Sequence, residues 1–435
     1  MLAEVNEHPL SDKTRDFPGT LVKANASDPR RELVLGLLRA GLSAVDGRRC
    51  VREALSKAAA ADAAPGQAHG PVWLAAVGKA AAAMTLGAHD ALGERIARAL
   101  VITRAGHVPP ELGTLSGTEI LNGAHPVPDA RSLAAGQRLL EWVAALPPEV
   151  EPLFLISGGA SSLAEVPLAG MTLADLERFT TEGLASGMAI AELNAQRIAR
   201  SAIKGGKLTA RLRGRRAQAL FVSDVPGDDP SVIGSGLLGP ASPGPDRVRR
   251  TIVASVGQAV EAASAAGASL GLSVYAPAGR FDASAARVAA RCAHELMLSA
   301  AQVCVWGGES TVQLPPHSGR GGRNQHLALY AAKLIAGHPE LMLLAAGTDG
   351  TDGVTEDAGA LVDADSCARA ALAGLDVDQC LAQADSARAL AASGDLVHTG
   401  PTGTNVGDLV IGLKLMPEAA RTLAAPHGGT RSRVL

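Results

Sequence analysis

The chain has 435 residues, of which 47% are hydrophobic and only 2% aromatic, and its formal net charge is −3. This length exceeds what one ordinary hydrophobic core accommodates, so we predict two domains. The nearly balanced charge gives no electrostatic basis for binding nucleic acid or a membrane surface, and we expect neither as a partner.

Cysteine usage and apolar runs indicate the cellular setting. The five cysteines form no closely spaced pair, which favours a reducing compartment and argues against a structural zinc site. Residues 1–27 are polar and patternless, and we interpret them as a flexible leader without the apolar segment of a signal peptide. Because no apolar run reaches membrane length, we expect a soluble, cytoplasmic protein.

Short apolar runs alternate with helical periodicity over residues 28–280, which we predict to be the first domain. Asp28-Pro29 has the composition of a helix cap followed by a first turn. We predict helices at residues 31–59, 80–92, 129–145, 173–186, 191–203 and 246–266, and strands at residues 72–77, 99–103, 119–121, 152–156, 219–222 and 269–277. Repetition of strand, loop and helix predicts an α/β fold, with a largely parallel sheet covered by helices on both faces.

Residues 281–435 continue the same alternation and form the second predicted domain. We predict strands at residues 303–306, 341–346 and 409–415, helices at residues 284–300, 366–373 and 378–392, and a glycine-rich loop at residues 399–407. The boundary between the two domains is placed near residue 280.

Glycine-rich turns after predicted strands suggest anion binding. Lys79 follows Gly78 at the start of a helix, where the helix dipole disfavours a cation unless it serves an anion. The turn Ser157-Gly158-Gly159-Ala160-Ser161-Ser162 offers consecutive backbone N–H groups and serine hydroxyls. We therefore predict that Ser157, Gly158, Gly159 and Ser161 bind phosphate.

Two further basic loops extend this prediction. Arg323 ends the loop Gly319-Arg320-Gly321-Gly322 at the predicted start of a helix, a position suited to an anion. Lys204 and Lys207 flank Gly205-Gly206, and we take both as candidate cofactor-binding residues. This second loop is not a Walker A motif, because Ser201 stands where that motif requires glycine.

Carboxylates follow strands in both predicted domains and are candidate metal ligands. Asp224 and Asp228 follow one strand, whereas Glu309, Asp349 and Asp352 follow strands of the second domain. Carboxylates this close together need a cation or hydrogen bonds to offset their repulsion. Two other interpretations stay open, an Asx-turn role for the pair Asp349 and Asp352 and an ion pair between Glu309 and Arg323.

Several familiar signatures are missing. The glycines of residues 234–239 match G-x-G-x-x-G but lack the strand-turn-helix context of a dinucleotide site. The turn after residue 156 is not a G-x-S-x-G nucleophile elbow. No residue stands out as a nucleophile that His125 or His398 could activate, and we interpret both histidines as loop residues.

The order of these motifs resembles that of the class II glycerate kinases, the glycerate 2-kinase family with a MOFRL C-terminal domain. The resemblance covers residues 31–415, and it rests on these segments: Gly78-Lys79-Ala80, His125-Pro126-Val127-Pro128-Asp129, Ser157-Gly158-Gly159, Lys204-Gly205-Gly206-Lys207, Ser223-Asp224-Val225-Pro226-Gly227-Asp228-Asp229-Pro230, Gly307-Gly308-Glu309, Gly321-Gly322-Arg323-Asn324-Gln325, Gly347-Thr348-Asp349-Gly350 and Thr399-Gly400-Pro401-Thr402-Gly403-Thr404-Asn405. Two departures are Ala160 and Ser162 in the serine-glycine turn and Ser235-Gly236-Leu237-Leu238 in place of an SGPT segment.

The resemblance implies a Rossmann-like N-terminal domain, a smaller MOFRL-type domain and an active site in the cleft between them. It implies transfer of the γ-phosphoryl group of ATP, with Mg²⁺, to the C2 hydroxyl of D-glycerate. Lys79 and Arg323 would be the cations for phosphate and substrate carboxylate, and Asp224 and Asp349 would be the base or metal ligands. Some members are labelled hydroxypyruvate reductases, so an NAD(P)H-dependent reductase is the alternative. A homodimer is retained as a candidate assembly.

Overall fold

The N-terminal half is built on a six-stranded parallel sheet in a computed structural model that describes residues 28–61, 70–185, 190–241 and 243–424. Its strands are β1 (Val72–Val77), β2 (Ile96–Arg104), β3 (Thr118–Gly123), β4 (Leu153–Ile156), β5 (Ala217–Val222) and β6 (Val248–Ala254). They lie in the order β3-β2-β1-β4-β5-β6 with every neighbouring pair parallel. This is the strand order of Rossmann folds, so the predicted Rossmann-like sheet is confirmed. The predicted leader, residues 1–27, lies outside the described residues.

Helices cover both faces of this sheet, as predicted. The helices of this half are α1 (Pro29–Ala44), α2 (Gly47–Ala61), α3 (Ala81–Leu92), α4 (Ala130–Ala144), α5 (Ala160–Leu163), α6 (Leu173–Ala185), α7 (Ile190–Arg200), α8 (Lys207–Arg211) and α9 (Val256–Ser269). Along β1, Leu74 and Ala76 pack in the cluster that contains α3, whereas Ala75 and Val77 pack in the cluster that contains α4. Burial on both faces explains why β1 is apolar without alternation.

Three predicted elements of this half differ from the structure. The single helix predicted over residues 31–59 is two helices, and the Asp46 carboxylate accepts a hydrogen bond from Arg49 N at 2.7 Å at the start of α2. The helix predicted over residues 246–266 begins with β6, which pairs with β5 at the edge of the sheet. The strand predicted within residues 269–277 belongs to the other sheet. In the last two cases strand pairing prevails over local periodicity.

The C-terminal half contains a second, mixed sheet, so the predicted smaller α/β domain is confirmed. Its strands are β7 (Val274–Tyr275), β8 (Phe281–Ser284), β9 (Val303–Thr311), β10 (Leu341–Gly347), β11 (Gly359–Asp363), β12 (Leu396–Val397) and β13 (Asp408–Lys414). Their order is β12-β11-β10-β13-β9-β7, and β8 also pairs with β9. Only β7 and β8 run parallel to β9; the pairs from β9 through β12 are antiparallel, because β13 returns between β9 and β10.

The helices of this half, within the described chain, are α10 (Ala285–Leu298), α11 (Arg323–Leu334), α12 (Ser366–Leu372), α13 (Val377–Ala382), α14 (Ser386–Ser393) and α15 (Pro417–Ala424). In the described part of the chain, no helix is both long and apolar enough to span a membrane.

The two halves share a hydrophobic core. One contiguous cluster contains Leu37 of α1, Leu74 of β1, Leu344 of β10 and Leu409 of β13. Helix α1 is also held by charge, since the buried Arg31 side chain donates to the Leu361 carbonyl at 2.8 Å and pairs with Asp395 at 3.2 Å. The halves are therefore packed as one body around the cleft, and a domain boundary near residue 280 stays a prediction.

Candidate active site

The candidate site lies where the strand order of the parallel sheet reverses. Strands β1 and β4 are neighbours at the centre of the sheet, with β5 next to β4. Gly78-Lys79 follows β1, Ser157-Gly158-Gly159 follows β4, and Ser223-Asp224 follows β5. The carboxyl ends of parallel strands at such a reversal form the crevice in which α/β proteins bind ligands. The structure thus brings together three of the predicted segments.

The turn after β4 is clasped to the start of α3. Lys79 N donates to the Gly158 carbonyl at 2.9 Å, and Ala80 N donates to the Ser157 hydroxyl at 3.0 Å. Gly78 has a φ of +136°, and a Cβ on it would lie 2.1 Å from Ser157 Oγ. Ser157 is fully buried, so its side chain holds the turn in place instead of facing the cleft. Phosphate binding by Ser157 stays a prediction, in which its hydroxyl has the structural role of fixing the turn.

Lys79 joins the two halves of the molecule. Its Nζ donates to Asp349 Oδ2 at 2.6 Å, and the side chains are 14% and 7% exposed. Asp349 Oδ1 accepts from Thr351 N at 3.0 Å. Burial alone would raise the pKa of Asp349, but the charge and hydrogen bond of Lys79 outweigh it and hold the pKa at about 2. Asp349 is therefore an ionised partner that orients Lys79, and it is a poor proton acceptor.

Asp224 approaches the glycine turn closely. The Asn405 amide donates to Asp224 Oδ2 at 3.3 Å, and the Arg280 guanidinium donates to the Asp224 carbonyl at 2.7 Å. Burial, and then the charge of Glu309, raise the pKa of Asp224 to about 6. Among the described residues no cationic side chain forms an ion pair with it. Asp224 is thus a half-buried carboxylate without an ion-pair partner in this part of the chain.

Gly158 is required for this approach. A Cβ on it would lie 1.9 Å from Asp224 Oδ2 and 2.0 Å from Asn405 Nδ2, distances at which the turn must move. We expect Gly158→Ala to lower kcat at least about tenfold, because small displacements of catalytic groups are costly. Gly113→Ala is the control, since no atom lies within 4 Å of its Cβ position. Equal rates for both variants and the wild type, measured at saturating substrate, would contradict this assignment of the turn.

Arg323 is held by two carboxylates. Its Nη2 donates to Asp408 Oδ1 at 2.9 Å, and its Nη1 donates to Glu309. Asp408 is fully buried at the start of β13 and also accepts from Asn324 Nδ2 at 3.0 Å. Glu309 and Arg323 therefore form an ion pair, which is the alternative that the sequence left open. The prediction missed Asp408, although an acidic residue that opens an otherwise apolar strand is an unusual signal.

Asp352 fills the helix terminus that we had predicted to bind an external anion. Its carboxylate accepts from Asn324 N at 3.1 Å and from Gln325 N at 2.7 Å, in the first turn of α11. Burial raises the pKa of Asp352 to about 7. The protein's own carboxylate thus satisfies these N–H groups, and a metal-binding role for Asp352 stays a prediction.

Lys204 and Lys207 are engaged inside the N-terminal half. Lys204 is 1% exposed and forms an ion pair with Glu165, itself 3% exposed. Lys207 Nζ donates to the carbonyls of Ile198 and Ser201 at 2.7 and 2.6 Å. Both ammonium groups therefore have partners within the protein, and their predicted role in cofactor binding stays a prediction. Glu165 lies 39 residues from Lys204, so sequence spacing gave no sign of it.

The remaining predicted residues have mixed surroundings. Ser161 Oγ lies 2.7 Å from Ser235 Oγ. Asp228 has a φ of +52° and a buried Oδ1 without a hydrogen-bond partner. Within the described ranges no three His, Cys, Asp or Glu side chains come together as a metal cluster. The five predicted metal ligands therefore do not converge on one centre.

A cavity of about 1140 Å³ opens beside Lys79 and is lined by both halves. Helix α2 contributes Arg48, the β2 end contributes His107, and residues 399–403 line the opposite side. A volume of this order accommodates a nucleotide-sized molecule. Sequence reasoning missed Arg48 and His107. It also set aside His125, which lies at the site: a Cβ on Gly159 would be 3.3 Å from His125 Cδ2.

Comparison with known proteins agrees with this geometry. Residues 33–266 match the family model described as "Domain of unknown function (DUF4147)", and residues 302–408 match the MOFRL family. A D-glycerate 2-kinase of Thermotoga maritima is 35% identical over 422 residues, which cover 88% of this chain and 98% of that protein. The chain belongs to the glycerate 2-kinase family. The resemblance inferred from the motifs is thereby confirmed.

The fold of this chain also matches a solved glycerate kinase structure. The crystal structure of a glycerate kinase from Thermotoga maritima matches with a TM-score of 0.76 at 33% identity, covering 89% of this chain and 99% of that one. An Agrobacterium vitis relative, 36% identical over 82% of this chain and 91% of its own, carries a provisional hydroxypyruvate reductase name. Membership in a kinase family implies a nucleotide substrate.

Proposed function

We propose that the protein transfers the γ-phosphoryl group of ATP to the C2 hydroxyl of D-glycerate, giving 2-phosphoglycerate and ADP, with Mg²⁺ as the metal ion. The observation that carries the proposal is the contact between Lys79 and Asp349. It joins the two halves at the reversal of strand order, beside the glycine turn and the large cavity. Phosphoryl transfer depends on positioning and on stabilising negative charge, and this site supplies both.

The chain's own groups suit a phosphate at the glycine turn. The backbone N–H groups of Gly158 and Gly159 donate to no acceptor within the described residues. The turn lies between the cationic side chain of Lys79 and the carboxylate of Asp224. In the proposed reaction the N–H groups and Lys79 bind phosphate oxygens, and Asp349 keeps Lys79 oriented. Lys79 then stabilises the charge that develops on the migrating group.

Asp224 and Glu309 fit a divalent cation. Each repels the other, and Asp224 lacks a cationic partner among the described residues. Mg²⁺ is typically held by one or two carboxylates together with substrate phosphates, so a cluster of three protein ligands is not needed. When bound, the ion would neutralise charge on the phosphates. Asp228, whose buried Oδ1 is unpaired, is a further candidate ligand.

Replacing Asp224 with asparagine should raise the Mg²⁺ concentration needed for half-maximal activity at least about tenfold. The amide keeps the size of the side chain but removes the charge that attracts the cation. The measurement is the rate against free Mg²⁺ at saturating ATP and glycerate. Asp175→Asn is the control, since that carboxylate lies on the exposed end of α6 and accepts from Thr172 and Arg178. An unchanged Mg²⁺ dependence would remove Asp224 from the metal site.

A coupled assay tests the proposed reaction. The purified protein is incubated with D-glycerate, ATP and Mg²⁺, and both ADP and 2-phosphoglycerate are quantified. Formation of both, dependent on Mg²⁺, is the expected result. A parallel reaction with hydroxypyruvate and NADH or NADPH tests the reductase alternative. Oxidation of the reduced cofactor without ADP formation would overturn the kinase proposal. The glycines at residues 234–239 argue against that outcome, because they form short turns and not a strand-to-helix loop.

A further inference from the structure

The proposed transfer releases a proton from the acceptor hydroxyl, and the carboxylates near the glycine turn are poorly placed to take it. Asp349 stays ionised next to Lys79, and its pKa of about 2 makes it a weak base. Glu309 accepts from the Arg323 guanidinium, and Asp224 is proposed to bind the metal ion. A neutral group with a free lone pair, close to Lys79, is better suited to accept the proton.

Two histidines lie close to Lys79, in loops that follow neighbouring strands. His107 follows β2 and His125 follows β3, and the charge of Lys79 acts to lower the pKa of both. His107 lines the cavity of about 1140 Å³ together with Lys79, so a substrate has room beside it. The ring of His125 instead packs on Gly159, where an added Cβ would lie 3.3 Å from His125 Cδ2. His107 therefore has the stronger case, because the structure shows space for an acceptor next to it.

The loop that carries His107 is fixed beside the loop that carries Lys79. Gly78 N donates to the Ile102 carbonyl of β2 at 3.1 Å, which holds the loops after β1 and β2 side by side. His107 N donates to the Arg104 carbonyl at 3.2 Å, and two prolines at positions 109 and 110 restrict the backbone that follows. A half-buried imidazole on such a loop is held in place, as a catalytic base requires.

The surroundings of His107 keep its imidazole neutral. Burial is the main cause and lowers the pKa of His107 below the ordinary value; the charge of Asp349 opposes this shift, whereas Arg104 and Lys79 add to it. The ring forms a hydrogen bond with the Lys79 backbone, and no side chain of the described residues bonds to it. A neutral imidazole has one N–H group and one lone pair, so a single backbone bond leaves the other nitrogen free for a substrate hydroxyl.

We propose that His107 is the proton acceptor of the phosphoryl transfer and acts on the C2 hydroxyl of the acceptor acid. The inference rests on the proposed function and adds a catalytic residue to it. As the hydroxyl oxygen bonds to the γ-phosphorus, its proton passes to the free ring nitrogen of His107. The bond from the γ-phosphorus to the bridging oxygen breaks, and its electron pair leaves with ADP. The open cavity then lets the imidazolium release the proton to solvent.

The test replaces His107 with alanine and with glutamine. We expect kcat for phosphorylation of D-glycerate to fall at least about a hundredfold in both variants, because a general base typically contributes roughly two to four orders of magnitude. KM for ATP and for D-glycerate should stay close to the wild-type values, since the base acts in the chemical step. His294→Ala is the matched control, because that side chain is exposed on α10. A wild-type kcat in either His107 variant would overturn the inference.

Rescue by added imidazole distinguishes a base from a structural residue. Alanine at position 107 leaves a space that adjoins the cavity, and imidazole can enter it. We expect a saturable increase of kcat in His107→Ala, at least about tenfold, that follows the concentration of neutral imidazole as the pH is varied. His107→Gln should show little increase, because its amide fills that space, and it keeps the kcat test valid if the alanine variant unfolds. No increase in folded His107→Ala, or an increase that follows the imidazolium ion, would overturn the inference.

The outcomes separate this inference from the proposed function. If the wild type phosphorylates D-glycerate and the His107 variants keep its kcat, the kinase proposal stands and His107 is not the base. If the wild type forms no 2-phosphoglycerate, the kinase proposal fails and the inference falls with it. Activity that is lost in His107→Ala and restored by neutral imidazole supports both.

Discussion

Lys79→Ala is expected to lower kcat at least about a hundredfold, with the protein still folded. The ammonium group lies at the junction of the two halves, and the Lys79 side chain packs against Gly159 of the glycine turn. A preorganised charge that stabilises the transition state typically contributes two to three orders of magnitude, roughly 2.7–4 kcal/mol. The measurement is kcat at saturating ATP, Mg²⁺ and D-glycerate. A wild-type kcat in Lys79→Ala would show that Lys79 has a structural role only.

Stability must be separated from chemistry in this variant. Removing Lys79 leaves Asp349 buried without its partner, and an uncompensated buried carboxylate is destabilising. The double variant Lys79→Met with Asp349→Asn removes both charges and keeps the side-chain volumes. We expect it to recover most of the lost unfolding free energy, measured in urea, without recovering kcat. Recovery of activity along with stability would show that the contact acts only through folding.

Much of the site could be predicted from the sequence because its parts are local. Lys79, the turn at Ser157 and Asp224 each follow an apolar strand directly, and parallel strands present their carboxyl ends at one edge of the sheet. Glycines that follow strands mark positions where a side chain would collide with a neighbouring segment. A side chain at Gly158, for example, would collide with Asp224. The structure therefore brings these three segments together, and their role as the active site stays a prediction.

The partners of these residues could not be predicted, because they are distant in the chain. Lys79 contacts Asp349 across 270 residues, and Arg323 contacts Asp408 across 85. Nothing near Lys204 in the sequence indicated Glu165, so its ammonium group looked free for a cofactor. The α/β class of the second half was predicted, but its strand directions were not: β13 inserts between β9 and β10 from the far end of the chain and makes the sheet mixed. Short apolar strands do not reveal the direction of their neighbours.

Arg323→Ala should be the most destabilising single change at the site. It leaves Asp408, which is fully buried, and Glu309 without the guanidinium that neutralises both. Breaking a buried ion pair from one side costs about 3–5 kcal/mol, and we expect the lower end because the Arg323 side chain is 34% exposed. Urea unfolding with two independent probes measures the change. Arg388→Ala is the control, because that side chain is 66% exposed and should change stability by less than about 0.5 kcal/mol.

The second arm of this experiment decides between structure and substrate binding. If Arg323 acts by neutralising Asp408, then Arg323→Ala combined with Asp408→Asn should recover part of the lost unfolding free energy, since the uncompensated charge is gone. KM for D-glycerate in that double variant should stay near the wild-type value, because Asp408 and Glu309 engage the Arg323 guanidinium in the wild type. A variant with wild-type stability and a raised KM for glycerate would instead assign the carboxylate to Arg323. If kcat is lost in both variants, Arg323 acts on the reaction indirectly. It would do so by holding Glu309, whose charge raises the pKa of Asp224.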